Sequence, residues 1–161
     1  MSKRILSSPP FLHVVLHEPE IPANTGNIAR LCGAAEIPLH LIHPLGFKVD
    51  DKHLKRAGLD YWNEVDIRYH ESWEAFQRCA ETDEAAEVVG FSARAPEDYT
   101  RAVVKQGDYL LFGKESVGLP RELTKRYPCY RIPIWGGVRS LNLSTAVGIV
   151  VYHYLHRIGR F

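Results

Sequence analysis

Short apolar runs alternate with longer segments of helical spacing along this chain. Leu12-His13-Val14-Val15-Leu16 is rich in β-branched and apolar residues and predicts a first strand. Leu39–His43, the alternating Val65–Tyr69 and Val88–Ser92 predict three more. Tyr109-Leu110-Leu111-Phe112, bounded by Gly107-Asp108 and Gly113, predicts a buried strand, and Arg131–Trp135, stopped by Gly136-Gly137, predicts another. Pro96–Tyr99 reads as loop. Between these runs, Ile28, Leu31 and Ala35 are spaced for one apolar helix face. Asn27 is the expected N-cap of that helix, with Gly26 free to take an unusual backbone angle beside it and Pro19 and Pro22 holding an extended loop ahead. Asp50–Ala57 predicts a short helix ended by Gly58, and Ser72 caps another that carries Trp73 and Phe76 towards the core. The last helix runs from about Ser144 to Arg157, with Leu143, Val147, Val150 or Val151, Tyr154 and Ile158 at helical spacing. Its apolar surface is wider than one stripe, which predicts burial on two sides, one of them against another subunit. Strands alternating with helices define an α/β fold with a mainly parallel sheet flanked by helices.

Composition narrows the function classes. The chain has 161 residues, 45% hydrophobic and 24% charged, ordinary values for one globular domain. Residues 1–11 read as a flexible N-terminal arm and residues 12–161 as a single domain. The net charge of +1 gives no overall basic field, so any nucleic acid must be met by a local patch. Three scattered cysteines, Cys32, Cys79 and Cys129, form neither a disulfide framework nor a metal-ligand pair and suit the cytoplasm. The first residues contain no long apolar run, so neither a signal peptide nor a membrane span is expected there.

Several familiar chemistries are missing from the text of the chain. It lacks a phosphate loop ending in Gly-Lys-Ser/Thr, a dinucleotide fingerprint after the first strand and a Gly-x-Ser-x-Gly elbow. His13 and His17, His40 and His43, and His153 and His156 have tempting spacings, but no joined carboxylates or cysteines complete four convergent ligands, so no metal is expected. What remains is glycine-bearing loops after strands, small polar groups and Arg30. That equipment suits a reaction whose reagent is already activated, where the protein binds and orients. From spacing alone, Arg30 is either a phosphate-gripping fork near a helix start or a solvated side chain. Lys48, Lys52, Lys55 and Arg56, with His53, are likewise either a phosphate-contacting patch or a solvated helix face.

Three stretches carry a resemblance. Asn24-Thr25-Gly26-Asn27-Ile28-Ala29-Arg30, Phe112-Gly113-Lys114-Glu115-Ser116-Val117-Gly118-Leu119-Pro120 and Ser140-Leu141-Asn142-Leu143-Ser144-Thr145-Ala146-Val147 resemble, in order, the three motifs of the SPOUT RNA 2'-O-methyltransferases. Glu18–Pro22 and Arg56–Tyr61 are similar to the small subgroup that methylates the wobble ribose of certain leucine tRNAs. The resemblance covers about Leu12 to Gly159. It implies a C-terminal trefoil knot and S-adenosylmethionine as cofactor, held near Phe91, Gly113, Glu115, Ile132, Ser140 and Leu141. It further implies Arg30 and Tyr152 as catalytic residues, with Asn24 and Asn142 ordering the loops. A homodimer is implied, formed through the terminal and first-motif helices, and Lys48, Lys52, Lys55 and Arg56 become tRNA contacts. With the first strand starting near Leu12, no added N-terminal RNA-binding domain is expected. Two residues depart from the subgroup: His153 stands where relatives carry Glu, and Val117 where a close relative has Arg. The alternative reading is a non-catalytic RNA-binding or assembly protein on the same fold.

Overall fold

The computed structural model of the chain describes residue 6 and residues 8–48 and 61–161. The strands are β1 (His13–His17), β2 (Leu39–Ile42), β3 (Ile67–His70), β4 (Val88–Phe91), β5 (Glu97–Asp98), β6 (Tyr109–Phe112) and β7 (Cys129–Arg131). Helices α1 (Pro22–Ala35), α2 (Trp73–Ala80), α3 (Arg121–Arg126) and α4 (Leu143–Arg157) connect or follow them, with a 3-10 turn at Tyr99–Arg101. All strand pairs are parallel and form one sheet in the order β3-β2-β1-β6-β4-β7-β5. The α/β expectation therefore holds. Because the chain builds outward from β1 through β2 and β3, then returns to the other side of β1, the strand order reverses at the β1–β6 pair. Open parallel sheets bind ligands outside the carboxyl ends of strands at such a reversal.

Side-chain alternation along the strands sorts the core onto two faces. Val14, Leu16, Leu110 and Phe112 point to one face, where Ile28, Ala29 and Cys32 of α1 and Val147, Val150, Val151, Tyr154 and Leu155 of α4 cover them. Val15, Tyr109 and Leu111 point to the other, under Phe76 of α2 and Leu123 of α3. A sheet covered on both sides explains why its central strands read as unbroken apolar runs. The five buried side chains of α4 contribute on the order of 10 kcal/mol of gross burial energy before entropy is subtracted. The Tyr154 hydroxyl donates to the carbonyls of Tyr99 and Ala102, and burial pushes its pKa up to about 12. Thus α4 is fastened to the 3-10 turn as well as to the sheet.

Four local expectations need correction. Helix α1 begins at Pro22, five residues before the expected cap at Asn27. Proline suits a first helical position because its φ is already helical and the missing N–H has no partner there. Gly26 accordingly lies within the helix, outside the positive-φ residues. Strand β7 ends at Arg131, so Ile132–Trp135 is not strand; Pro133 lacks the N–H a ladder requires. Glu97–Asp98 forms a short edge strand on β7, where a loop was expected. The predicted helix over Asp50–Ala57 lies outside the described residues. Elsewhere Ser72 caps α2 as expected, its Oγ accepting from the Ala75 N–H at 3.1 Å.

Three buried histidines that the sequence scatters meet across β1, β2 and β3. His13 Nδ1 lies 2.9 Å from His40 Nε2, and His40 Nδ1 lies 2.8 Å from His70 Nε2. Tyr109 stacks on His13 at 4.1 Å between ring centroids, and Phe76 meets His40 and His70 edge-on. Desolvation lowers the pKa of all three, His13 to about 4; the Arg68 charge adds to this at His13, and the neighbouring histidines add at His40. The ring nitrogens are used pairwise in a chain and do not converge on a point. Among the described residues no cluster of His, Cys, Asp or Glu could hold a metal ion.

Candidate active site

The loops after β1 and β6 lie side by side because the strands pair, Leu16 opposite Phe112. They are knitted together by side chains of the second motif. The Glu115 carboxylate accepts from the backbone N–H of Glu20 at 2.8 Å and of Ile21 at 3.1 Å, and from Asn24 Nδ2 at 3.4 Å. Helix α1 has no cap from its own N-cap side chain. Glu115 supplies that cap from 91 residues away in the chain and sets a negative charge at the positive end of the helix dipole. In return, Glu20 accepts from the Ser116 N–H at 2.9 Å and the Ser116 hydroxyl at 2.6 Å. The hydroxyl bond, then the backbone bond, holds the Glu20 carboxyl below its usual range. Lys114 Nζ reaches Glu18 at 3.5 Å.

Gly113 is fixed by space. A Cβ there would lie 2.1 Å from the Gly118 carbonyl carbon and 2.2 Å from the Leu119 nitrogen. The loop folds back on itself through the Gly118 N–H to Lys114 carbonyl bond at 2.9 Å, and Gly118 takes φ +72°.

The third motif joins the other two through Asn142. Its Nδ2 donates to Asn24 Oδ1 at 3.1 Å, while its Oδ1 accepts from the Ser144 N–H at 3.0 Å and the Ser144 hydroxyl at 2.6 Å, capping α4. Asn24 is buried, so its amide spends both ends on Glu115 and Asn142. Three segments far apart in the chain thus meet at the carboxyl edge of the sheet. The expected role of Asn24 and Asn142 as loop-ordering amides has this geometry. Glu115 was expected to shape a cofactor pocket; its carboxylate turns to the start of α1.

The other expected cofactor residues gather at the same edge. Phe91 and Phe112 are register partners on β4 and β6 with stacked rings, centroids 5.2 Å apart, and Gly113 follows directly. Ile132 follows β7, and Ser140 and Leu141 lead into the Asn142 cap. Ile132 and Leu141 are half-buried and Ser140 is exposed. These residues fit S-adenosylmethionine: glycine backbone, a hydroxyl and half-buried aliphatic side chains suit an adenosine edge better than paired cations would. Two clefts of about 490 and 520 Å³ lie elsewhere, one lined by Phe76, Val88 and Tyr127, the other by Thr100, Val103 and Arg157. Neither includes these loops.

Arg30 sits in the middle of α1, not at its start, so the expected helix-terminus contribution to anion binding does not reach it. It is exposed on the same helical stripe as Asn27, with its guanidinium 5.0 Å above the Tyr61 ring. Tyr152 lies on the solvent side of α4, 42% exposed, with its ring 6.4 Å from Phe161. Helices α1 and α4 pack together, but these two side chains make no hydrogen bond or ring contact with each other. His153 turns away from Tyr152, edge-on to the rings of Tyr99 and Tyr154, and burial lowers its pKa. Val117 is exposed at the loop tip, its carbonyl accepting from Arg94 at 3.0 Å. Lys48 is exposed; Lys52, Lys55 and Arg56 lie outside the described residues. Sequence reasoning missed the Glu20–Ser116 tie, for which no spacing rule exists, and the histidine chain, which needs strand order to be seen.

Known proteins resemble this chain over most of its length. The model of the SpoU rRNA methylase family matches residues 11–152. A tRNA (cytidine(34)-2'-O)-methyltransferase of Yersinia pestis is 43% identical over 153 residues, covering 92% of this chain and 94% of the relative. A solved structure described as "Structural insights into the 2-OH methylation of C/U34 on tRNA" superposes with a TM-score of 0.88 at 51% identity, covering 95% of this chain and all of that one. An AdoMet-bound rRNA methyltransferase from Sinorhizobium meliloti superposes with a TM-score of 0.83 at 26% identity, with 96% of this chain spanning 59% of that one. The chain belongs to the SpoU methylase family, and its fold is that of the SPOUT methyltransferases.

Proposed function

We propose that this protein transfers a methyl group from S-adenosylmethionine to the ribose 2'-hydroxyl of the wobble nucleotide of tRNA, with cytidine, or a modified uridine, as the base. The observation that carries this reading is the junction of all three motifs through Glu115, Asn24 and Asn142. It is supported by the activities for which relatives matching over nearly their whole length are named. Leucine tRNAs are the substrates the subgroup resemblance favours, and the cytoplasm is where such tRNAs would be met.

Phe91, Gly113, Ile132, Ser140 and Leu141 would hold the cofactor, with Glu115 fixing the loop that carries Gly113. Bound there, S-adenosylmethionine supplies a methyl group activated on a sulfonium and leaves as S-adenosylhomocysteine. The protein's own part is orientation and charge. A guanidinium offers donors and no acceptor, so Arg30 is no general base. It grips the phosphate beside the target ribose and stabilises negative charge developing on the 2'-oxygen, while the proton passes to that phosphate or to water. Tyr152 touches cofactor or RNA from α4. A homodimer pairing the α1 and α4 faces would bring Arg30 and Tyr152 of the two copies to a shared surface; Lys48, Lys52, Lys55 and Arg56 are the residues the family resemblance assigns to contact with the tRNA backbone.

The direct test is transfer of labelled methyl from S-adenosylmethionine to bulk tRNA, followed by nuclease mapping. Label on the wobble 2'-oxygen is the expected result. Label elsewhere in tRNA overturns the position, and cofactor binding without transfer to tRNA that carries every modification except the wobble 2'-O-methyl favours the non-catalytic reading.

A further inference from the structure

Between the end of β7 and the Asn142 cap of α4 the chain makes an excursion whose residues 135–140 are all exposed. Its leading residue is Trp135, 92% exposed, while Trp62 is buried and Trp73 half-buried. Gly136 and Gly137 follow, and a Cβ on either would meet nothing within 4 Å. Nothing on those two residues crowds the neighbouring indole. Both ends of the excursion are anchored. Arg131 donates to the carbonyls of Ala95, at 2.9 Å, and Pro96, and Asn142 is bound to Asn24 and Ser144. The indole is therefore held out from a fixed base, six residues before Leu141.

A tryptophan buries about 150–250 Å² when covered, far below the roughly 800 Å² per partner of a stable protein interface. The rest of the exposed run is two glycines, Val138, Arg139 and Ser140, so it does not extend the ring into a broad apolar face. The ring offers a stacking face to one planar π-faced group, and Arg139, exposed four residues on in the same run, is a cation suited to a phosphate. An unpaired nucleobase with its phosphate is such a group, and single-stranded RNA loops are read by stacking on aromatic side chains.

We infer that Trp135 stacks on an unpaired base of the RNA substrate next to the reacting ribose, and so helps select the loop that enters the site. This rests on the function proposed above. The residue acts on RNA binding and not on methyl transfer itself.

The test compares wild type, Trp135→Ala and Trp135→Phe for methyl transfer to tRNA, for S-adenosylmethionine affinity by calorimetry, and for subunit mass in solution. It adds titration of tryptophan fluorescence with an unmodified anticodon stem-loop. The expected result is about a tenfold loss of kcat/KM for tRNA in Trp135→Ala, carried by KM, within the range of stacking losses on alanine substitution. Trp135→Phe should recover most of it, with cofactor affinity and subunit mass unchanged. Wild-type emission should be quenched by the stem-loop, and Trp135→Phe should lose that quenching. An unchanged KM in Trp135→Ala overturns the inference while wild-type transfer leaves the proposed function standing. Weakened cofactor binding, or a change in subunit mass, overturns it in favour of a cofactor or subunit contact. A wild type that neither binds the stem-loop nor methylates tRNA overturns the proposed function and this inference together.

Discussion

The side-chain amide of Asn142 donates to the side-chain oxygen of Asn24, 3.1 Å away and 118 residues earlier in the chain. The Asn142 side-chain oxygen, the other end of the same amide, caps α4. Asn142→Asp keeps that capping oxygen but turns an oxygen towards Asn24 Oδ1 in place of the donor. It should lower stability by about 1–2 kcal/mol through the unpaired buried Asn24 oxygen. Asn142→Ala loses the cap as well, worth about 1 kcal/mol more. Urea unfolding measures both, and an Asp variant as stable as wild type would remove the bridge from the account.

Glu115 holds the first turn of α1, and Arg30 rides on that helix. Glu115→Ala leaves the Glu20 and Ile21 N–H groups to water and takes a charge from the helix dipole. A loss of about 1–2 kcal/mol is expected, with faster amide hydrogen exchange confined to the start of α1. Glu115→Gln, which keeps an acceptor oxygen, should lose less. Unaltered exchange at Ile21 in the Ala variant would show that the cap does not hold the helix.

Gly113→Ala sets a carbon against backbone on the far side of its own loop. Backbone cannot yield as a side-chain tip does, so the loop must open, at a cost of about 1–3 kcal/mol. Calorimetry should find S-adenosylmethionine binding weakened at least tenfold in this variant. Wild-type affinity would mean that the loop's closed form is not the binding form.

Acid should destabilise the fold through the histidine chain. The folded His13 titrates near 4 and the unfolded ring near 6.5, so between these values the unfolded state binds more protons. Stability is full above pH 6.5 and falls as the pH drops towards 4, by about 3 kcal/mol from His13 alone. Three neutral rings carry three protons, enough for both ring-to-ring bonds with one N–H left over. A single added proton can be housed by a doubly donating His40; a second would set N–H against N–H. Thermal unfolding followed from pH 7.5 to 4.5 reads this directly. His40→Leu, with one fewer ring to protonate on unfolding, should show a shallower slope. Identical slopes would assign the acid sensitivity to other groups.

Arg30→Lys keeps the charge and loses the planar fork. If the fork grips phosphate and steadies the 2'-oxygen, kcat should fall about 10²-fold, the scale of losing one preorganised donor. Stability should be nearly unchanged, since the side chain is exposed and only its stacking on Tyr61 is lost. Unimpaired turnover would take Arg30 out of the chemistry.

What could be read from the chain differs from region to region. Strands β1, β2, β4 and β6 were visible because burial on both faces leaves unbroken apolar runs, and α4 because Val147, Val151 and Tyr154 recur with its turn. The start of α1 was misplaced because Asn27 looks like a cap, whereas the true cap arrives from Glu115, which no local window contains. Strand β7 was drawn too far because an apolar run does not say which residues have a ladder partner. Trp135 was read as part of that strand, and only its exposure shows it standing free.

The sequence by itself determined the fold class and the three motifs, since both rest on local spacing and residue type. The tertiary structure alone decided that the motifs share one hydrogen-bonded junction, that β1 and β6 are neighbours, and that His13, His40 and His70 form a chain. The reason is physical. Hydrogen bonds between loops and pairing between strands depend on which segments fold against each other, and separations such as the 118 residues from Asn24 to Asn142 leave no trace in periodicity.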